Sequence, residues 1–267
     1  MYYSPAYEEK PPSPPITNTK LSDAYNHWFE VVPAGTPELL EQAYRLRYQV
    51  YCRERDFETP DEHPHQRETD EFDDRSVHSL LVNRASGSVA GTVRLILPDP
   101  DSPAASFPIQ HICSHPLLSD RKLHLTASAA EISRFAISKA YRKAPQTGQP
   151  GEALQTGGGA IDRAHLIPCI TLGLFKATLQ MSFSLGISDW FAVMEPALLR
   201  LLSRFGIYFK PIGPLVEYHG MRQPCHANVA TLLDRVKKEC FDVWEFVTDE
   251  GNSLPMEGVH YTSAEGT

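Results

Sequence analysis

Several charged residues of this sequence lie inside segments that otherwise read as protein core. Arg94 interrupts the apolar, strand-like run from Gly91 to Leu97, and Arg47 lies on a segment with helical apolar spacing. An unpaired buried charge is costly, so both arginines need acidic partners. We expect Asp70 and Asp73, in the acidic loop between these segments, to supply them. Such a network can orient a charged substrate, or it can have a purely structural role.

Glu131 and Arg134 form a second charged group, three positions apart in a strand-like segment. On a regular strand, residues three apart point to opposite faces of the sheet. They share a face only if a β-bulge intervenes. A bulge there would also free backbone N–H groups to point at a ligand.

Other common kinds of site are disfavoured. Asp61 to His65 has only two histidines, one residue apart in a proline-broken loop, so we expect no metal site. The five cysteines form no Cys-x-x-Cys pair and have no recognisable histidine partner. We expect them to be small buried hydrophobes of a protein from a reducing compartment. The sequence contains neither a dinucleotide-binding glycine motif after a strand nor a Walker loop.

Composition limits the class of protein. The chain has 267 residues, of which 42% are hydrophobic, enough for an ordinary core. Its formal net charge of -8 disfavours a nucleic-acid-binding protein. The start Met-Tyr-Tyr-Ser-Pro has no features of an export signal, so we expect a cytoplasmic location. Residues 1–20 hold five prolines, which predicts a flexible tail, and residues 251–267 are similar, leaving one domain at 21–250.

Periodicity predicts a mixed α/β order that would position these side chains. The predicted strands are His27–Val32, Ser76–Asn83, Val89–Leu97, Ala130–Ser138, Trp190–Met194, Ile207–Phe209 and Phe241–Val247. The predicted helices begin with one capped by Thr36 and reaching Tyr51, followed by Ile161–Gly186, Ala197–Phe205 and Asn228–Cys240. Asp56–Asp74 is predicted to be a loop, and Pro98–Ala127 to hold no core element. This order predicts an α/β fold with an antiparallel front half and a crossover behind.

The longest apolar stretch, Ile167 to Ile187, contains one charged residue, Lys176. Its length would span a bilayer, but Lys176 lies near the middle, where a charge costs most. We therefore predict a buried central helix. Peripheral contact with a membrane remains open.

Taken together, these residues resemble the acyl-homoserine-lactone synthases and N-acyl amino acid synthases of the GCN5-related N-acyltransferase (GNAT) superfamily. The resemblance runs from about Trp28 to Phe246. It is carried by Arg47-x-x-Val50-Tyr51 with Phe57 six residues later, Asp70-x-x-Asp73, Arg94 and Glu131-x-x-Arg134. The chain looks closer still to acyltransferases associated with bacterial PEP-CTERM/exosortase systems, through Leu46 to Cys52, Glu131 to Arg134 and Val216 to Gly220.

The resemblance implies an α+β three-layer sandwich with a mixed central sheet, and an N-acyltransferase. A fatty acyl group would pass from a thioester to a small amine such as an amino acid, with Glu131, directly or through water, taking the proton. Backbone N–H groups near Phe135 to Ile137 would hold the thioester carbonyl. The charge network would orient the amine with Tyr51 and Phe57 beside it; its members are Arg47, Asp70, Asp73, Arg94 and Arg134.

The donor would be acyl carrier protein or acyl-CoA, as a cosubstrate and not a permanent cofactor. Lys139, Arg142 and Lys143 form a small basic patch on an acidic chain, which would attract an acidic carrier protein or be merely a solvated helix start. His219, in Tyr218-His219-Gly220, is a further candidate for proton transfer, or a structural histidine. A different class also stays open: a non-catalytic module that binds a lipid or an acylated carrier in an exosortase-linked assembly.

Overall fold

The computed structural model describes residues 21–102, 105–119, 128–142 and 163–254. Its α-helices are α1 Leu21–Trp28, α2 Pro37–Tyr48, α3 Ile109–Ile112, α4 Lys139–Arg142, α5 Arg163–Leu185, α6 Pro196–Ser203, α7 Val229–Glu239 and α8 Phe241–Val247, and a π-helix, Gln49–Glu54, continues α2. Its strands are β1 Phe29–Pro33, β2 Ser76–Asn83, β3 Val89–Ile96, β4 Ala129–Ile137, β5 Asp189–Met194, β6 Lys210–Pro211, β7 Val216–Glu217 and β8 Met221–Asn228. The N-terminal tail and most of the C-terminal tail predicted above lie outside these ranges, so the domain limits stay a prediction.

The strands form one mixed sheet in the order β1-β2-β3-β4-β5-β8-β6, with β7 paired to β8. Neighbours from β1 to β4 are antiparallel, whereas β4 and β5 are parallel and joined through α5. A parallel pair requires such a crossover. The predicted α/β fold, with an antiparallel front half and a crossover behind, is therefore confirmed.

A bulge in β4 changes which face its side chains occupy. Arg94 pairs with Ser133 but Thr92 pairs with Ala136, so β4 holds one residue more than β3 between these pairs. Arg134 has a positive φ of 48°, an uncommon backbone conformation for a residue other than glycine. Before the bulge, odd-numbered residues of β4 face α2 and the acidic loop; after it, even-numbered residues do.

Beyond the bulge, β4 and β5 diverge. Their pairing ends at Ile132 with Ala192, although β4 continues to Ile137 and β5 to Met194. The divergence leaves a gap within the sheet.

The helix α5 fills one face of the sheet. Its side chains form the main core with residues of β3, β4 and β5, such as Val93, Ile132 and Trp190. Leu166–Leu185 is long and apolar enough to cross a membrane, but 78% of its most apolar 18-residue window is buried inside the fold. The predicted buried central helix is confirmed. Lys176 is accommodated by an ion pair with Asp249.

The opposite face is covered by α2 and, against our expectation, by the segment after β3. Thr36 caps α2 as predicted, since its Oγ1 accepts the N–H of Leu39 at 3.4 Å. The prediction that Pro98–Ala127 holds no core element is wrong. Phe107 and Ile109 are fully buried and form a second core cluster with Phe191. In this segment the prolines lie in short turns between a few large buried apolar residues, so the apolar positions follow no regular spacing.

Three further predictions are wrong. Phe241–Val247 is the helix α8 and not a strand; it follows α7 at Cys240 and packs Phe246 into the core. Ile207–Phe209 is irregular, and the strand there is Lys210–Pro211. The first strand begins at Phe29, because α1 takes the residues up to Trp28.

The strand β8 was not predicted at all. Half of its residues are polar, and it contains Pro224, which argues against a strand that pairs on both sides. Pro224 nevertheless pairs with Val193 of β5, and its carbonyl accepts the N–H of Ile212 at 3.0 Å. This strand carries Arg222 to the gap between β4 and β5.

Candidate active site

Three arginines and three acids form a buried charge network. Arg47, at the end of α2, is fully buried; its Nη1 and Nη2 donate to the two carboxylate oxygens of Asp73 at 2.6 and 3.1 Å, and its Nε donates to Glu68. Arg94, from β3, holds Asp70 through Nη1 and Nη2 at 2.6 and 2.9 Å. The members of the network are Arg47, Arg94, Arg134, Glu68, Asp70 and Asp73. The structure thus brings together every residue predicted for it.

The bulge in β4 joins Arg134 to this network. Its Nη2 lies 2.8 Å from Glu68 Oε1 and 3.0 Å from Asp70 Oδ2. Arg94 also reaches β4, because its Nε donates to Ser133 Oγ at 2.9 Å. Ser133 and Arg134, adjacent in sequence, therefore serve the same face.

The network keeps Glu68 and Asp73 ionised. Burial opposes ionisation of Glu68, but Arg47 and Arg134 outweigh it and lower the pKa of Glu68 to about 2. Burial likewise opposes ionisation of Asp73, and Arg47 and Arg94 hold its pKa well below the usual value. Three positive and three negative charges cancel. The acidic loop is thereby fixed to the sheet and to α2.

The pKa of Glu131 is shifted in the opposite direction. Its side chain is buried, and burial raises the pKa of the carboxyl to about 7, although the N–H of Ile109 donates to its Oε2 at 2.9 Å. Half of such groups are ionised near neutral pH. This carboxyl can therefore accept and release a proton under physiological conditions.

A pocket of about 340 Å³ occupies the gap between β4 and β5, and Glu131 lines it. Its lining comes from both faces of the sheet. The apolar end lies on the α5 side and includes Ile132, Phe135, Ile137, Ile167, Leu198 and Leu201. The charged end lies on the side of the acidic loop and includes Tyr51, Arg55, Phe57, Glu195, His219 and Arg222. A molecule in this pocket would pass through the sheet.

The backbone of β4 faces this gap at Ile137. The N–H of Ser138 donates back to Ala90 of the neighbouring strand at 2.9 Å, so the backbone groups of Ile137 point the other way. The Ile137 carbonyl indeed accepts from Arg142 Nε at 2.8 Å. Phe135, the other predicted position, directly follows Arg134 at the bulge.

The predicted aromatic residues frame the charged end. The Arg134 guanidinium lies 5.3 Å from the ring centre of Tyr51, and that ring lies 6.3 Å from Phe57. Burial raises the pKa of Tyr51, which keeps its hydroxyl protonated. His219 also reaches this end, with its ring 5.8 Å from Phe57 and its Nε2 3.7 Å from Glu58 Oε1.

Two of the three residues of the basic patch predicted on α4 are described. Arg142 forms an ion pair with Glu54 and donates to the Ile137 carbonyl, so its charge is compensated. Lys139 is exposed, and Lys143 lies outside the described residues. Of the described part of this patch, Lys139 is the residue whose side chain is turned to solvent.

The sequence did not single out Glu68, Arg55, Glu195 or Arg222. Glu68 is one of nine acidic residues in its loop, and no periodicity marks the one that will be buried. Arg222 lies on the strand that was not predicted. Arg222 could have been placed at the pocket only by recognising that its segment pairs with β5.

Comparisons with known proteins agree with the fold. Residues 46–147 match the family model described as an acetyltransferase (GNAT) domain. No curated protein matches the sequence significantly. The crystal structure of TofI, solved with an inhibitor and MTA, is 19% identical with a TM-score of 0.52, over 78% of this chain and 96% of TofI.

Two further structures are similar over comparable lengths. The acyl-homoserine-lactone synthase LasI is 22% identical with a TM-score of 0.49, over 74% of this chain and 88% of its own. FeeM, an N-acyl amino acid synthase from uncultured soil microbes, is 17% identical with a TM-score of 0.47, over 78% of this chain and 93% of its own. The predicted resemblance to the GNAT superfamily is confirmed: residues 46–147 match the model of a GNAT acetyltransferase domain, and the chain shares its mixed α/β fold with TofI.

Proposed function

We propose that this protein is an acyltransferase that moves an acyl group from a thioester to the primary amine of a small molecule. The observation that carries the proposal is Glu131, a buried carboxyl with a pKa of about 7 in a pocket that crosses the sheet. The match to an acetyltransferase domain model supports the same reaction class.

The residues suggest how the transfer proceeds. A primary amine is mostly protonated at neutral pH, and only its free form attacks. Glu131, directly or through a water molecule, takes a proton as the amine nitrogen bonds to the thioester carbon. The carbon–sulfur bond then breaks, and the sulfur leaves with the electron pair and becomes a thiol by taking up the proton that Glu131 accepted, directly or by way of solvent. The N–H of Ile137 faces the gap, where it is suited to the developing oxyanion.

The two ends of the pocket suit the two substrates. The apolar end, beside Ile167 and Leu198, suits an acyl chain, and the charged end, beside Tyr51 and Phe57, suits a polar amine. The charge network has a positioning role: it fixes the loop that carries Phe57 to the strand that carries Glu131. His219 lines the same end of the pocket, and its imidazole would assist proton transfer there.

The finer proposal follows the sequence resemblance. The acyl group is a fatty acyl chain, the donor is acyl carrier protein or acyl-CoA, and the acceptor is an amino acid. Exposed Lys139 supports contact with an acidic carrier protein. The reaction takes place in the cytoplasm, in a pathway linked to an exosortase system.

Mass spectrometry tests this proposal. The purified protein is incubated with palmitoyl acyl carrier protein, or with palmitoyl-CoA, and a pool of amino acids. We expect a new N-acyl product, reduced by about 100-fold or more in Glu131→Gln. Glu239→Gln changes an exposed glutamate paired with Arg235 on α7 and serves as the control. Absence of product with both donors would favour a non-catalytic lipid- or carrier-binding module, and full activity of Glu131→Gln would exclude Glu131 as the base.

A further inference from the structure

Two arginines at the charged end of the pocket share one carboxylate. Arg222 Nη2 lies 3.2 Å from Glu195 Oε1, and Arg55 Nη1 lies 4.0 Å from the same oxygen. We call Arg55 and Arg222 the arginine pair. Two guanidinium groups facing a single carboxylate leave a local excess of positive charge, which favours a second anion.

The arginine pair is held in place around an aromatic ring. The guanidinium of Arg222 lies 5.4 Å from the ring centre of Phe57, and that of Arg55 lies 5.9 Å from it. The side chain of Arg222 is only 13% exposed, and its Nη1 donates to the Met221 carbonyl at 3.2 Å. A guanidinium carries five N–H donors. Its position is therefore fixed while donors remain for a ligand.

Other charges near the pocket have different partners. Arg94 and Arg134 are paired with the acids of the charge network, and Arg142 is paired with Glu54. Glu58 lies 3.7 Å from Arg134 Nη2 and 3.7 Å from His219 Nε2, so it faces those groups. Among the described residues that line the pocket, the arginine pair is thus the cationic group best placed to take an anionic ligand.

We propose that the arginine pair binds the carboxylate of an α-amino acid acceptor. This inference rests on the proposed function, and it adds the residues that select the acceptor. Carboxylates and guanidinium groups match in charge and in planar geometry. In an α-amino acid the carboxylate and the amine are attached to the same carbon, so anchoring the carboxylate restricts the position of the amine. An amine without a carboxylate would lose this anchor.

Steady-state kinetics with matched acceptors test the inference. The pairs are glycine and methylamine, leucine and isoamylamine, and tyrosine and tyramine, each with a saturating acyl donor. We expect the wild type to prefer the amino acid of a productive pair. Arg222→Gln should raise KM for that amino acid by about 10- to 100-fold, with little change in kcat or in KM for the matched amine. Arg222→Lys should restore part of the loss, and Arg55→Gln should show a smaller effect, because Arg55 is more exposed and farther from Glu195.

Several results would overturn the inference. If Arg222→Gln raises KM equally for the amino acid and for its matched amine, Arg222 only supports the fold. Turnover of the matched amine shows that the variant is folded. A rise in KM for the donor would assign the arginine pair to donor phosphates. Arg235→Gln, which changes an arginine of α7 paired with Glu239, is the matched control and should leave all constants unchanged. If the wild type acylates neither member of any pair, the proposed function itself fails.

Discussion

Glu131 and Glu68 are both buried glutamates, yet their pKa values move in opposite directions. Glu68 contacts two guanidinium groups, which lower its pKa to about 2 in spite of burial. Glu131 accepts a hydrogen bond from one backbone N–H, and burial raises its pKa to about 7. One fold thus holds one glutamate as a fixed anion and another as a carboxyl that titrates near neutral pH.

The first prediction concerns the pH dependence of acyl transfer. Burial raises the pKa of Glu131, so the carboxyl is a neutral acid below about pH 7 and becomes a base above it. We expect kcat/KM to rise about 100-fold per pH unit below 7, where both Glu131 and the amine must lose a proton, and about tenfold per unit above the bend near 7, where only the fraction of free amine still grows. The bend should be lost in the residual activity of Glu131→Gln and kept in Glu239→Gln. A wild-type profile without a bend between pH 6 and 8 would contradict this role.

The second prediction compares two arginines of α2. Arg47 is fully buried between Glu68 and Asp73, whereas the side chain of Arg45 is 62% exposed and pairs with Glu41. Arg47→Met leaves buried acids short of a partner and should lower the free energy of unfolding by about 3 kcal/mol or more. Arg45→Met should cost less than about 1 kcal/mol. Urea unfolding at pH 7 measures both, and equal losses would show that the network does not stabilise the fold.

At the scale of the element, β4 combines two registers in one strand. Its first half pairs with both neighbours and contributes Ile132 to the core. Pairing with β5 ends at Ile132, just before the bulge at Arg134, while pairing with β3 resumes at Ala136. One additional residue therefore places Arg134 in the network and turns the backbone of Ile137 towards the pocket.

The third prediction concerns how α5 packs on the sheet. A Cβ on Gly173 would lie 2.6 Å from Tyr25 Cε2 and 2.9 Å from Leu81 Cδ1, both in buried side chains. Alanine normally stabilises a helix by about 1 kcal/mol relative to glycine. Here the clash should outweigh that gain. Gly173→Ala should therefore lower the free energy of unfolding by about 1–2 kcal/mol, which is measured as a lower thermal midpoint.

Gly35→Ala is the matched control, because no atom lies within 4 Å of a Cβ at Gly35. We expect it to change stability by less than about 0.5 kcal/mol. A Gly173→Ala protein as stable as the wild type would mean that α5 moves easily on the sheet.

Elements with a strong local signal were predictable from the sequence. The hairpin of β2 and β3, the cap at Thr36 and the central helix α5 follow from alternation, cap chemistry and length. The possible bulge in β4 was inferred from the spacing of Glu131 and Arg134. This inference needed only the four residues from Glu131 to Arg134, because the two charged side chains can share a face of the sheet only if a bulge lies between them.

Elements defined by distant contacts were not predictable. β8 is a strand because β5 pairs with it, and its own sequence, with Pro224, argues against one. Phe241–Val247 has enough apolar residues for a strand, but its place after α7 and the packing of Phe246 favour a helix. The acid that pairs with both Arg47 and Arg134 is Glu68, a choice that only the folded loop determines.

At the scale of the whole molecule, net charge opposes one of the proposed partners. The chain carries a formal charge of -8, and an acyl carrier protein is also acidic. Productive docking then depends on a local positive surface near the pocket. In the described part of the predicted patch, exposed Lys139 is the residue that can supply it, since Arg142 is paired with Glu54.

The fourth prediction follows from this arrangement. If Lys139 guides the carrier, KM for acyl carrier protein should increase between about 50 and about 300 mM salt, because salt screens exposed charges. Lys139→Glu should raise that KM at low salt and have little effect at high salt. Lys210→Glu, a change at an exposed lysine of β6, is the control. A KM that does not depend on salt, in both the wild type and the variant, would argue against docking at α4.

The gap between β4 and β5 also has a consequence for the end of the catalytic cycle. A product that contains both the acyl chain and the polar head would thread through the sheet, with paired strands on either side. It would have to leave lengthwise, drawing the chain out of the apolar end at about 0.8 kcal/mol for each buried methylene. For long chains, departure of the product rather than bond formation would then limit turnover. Each carbon added to the acyl chain would therefore slow turnover further.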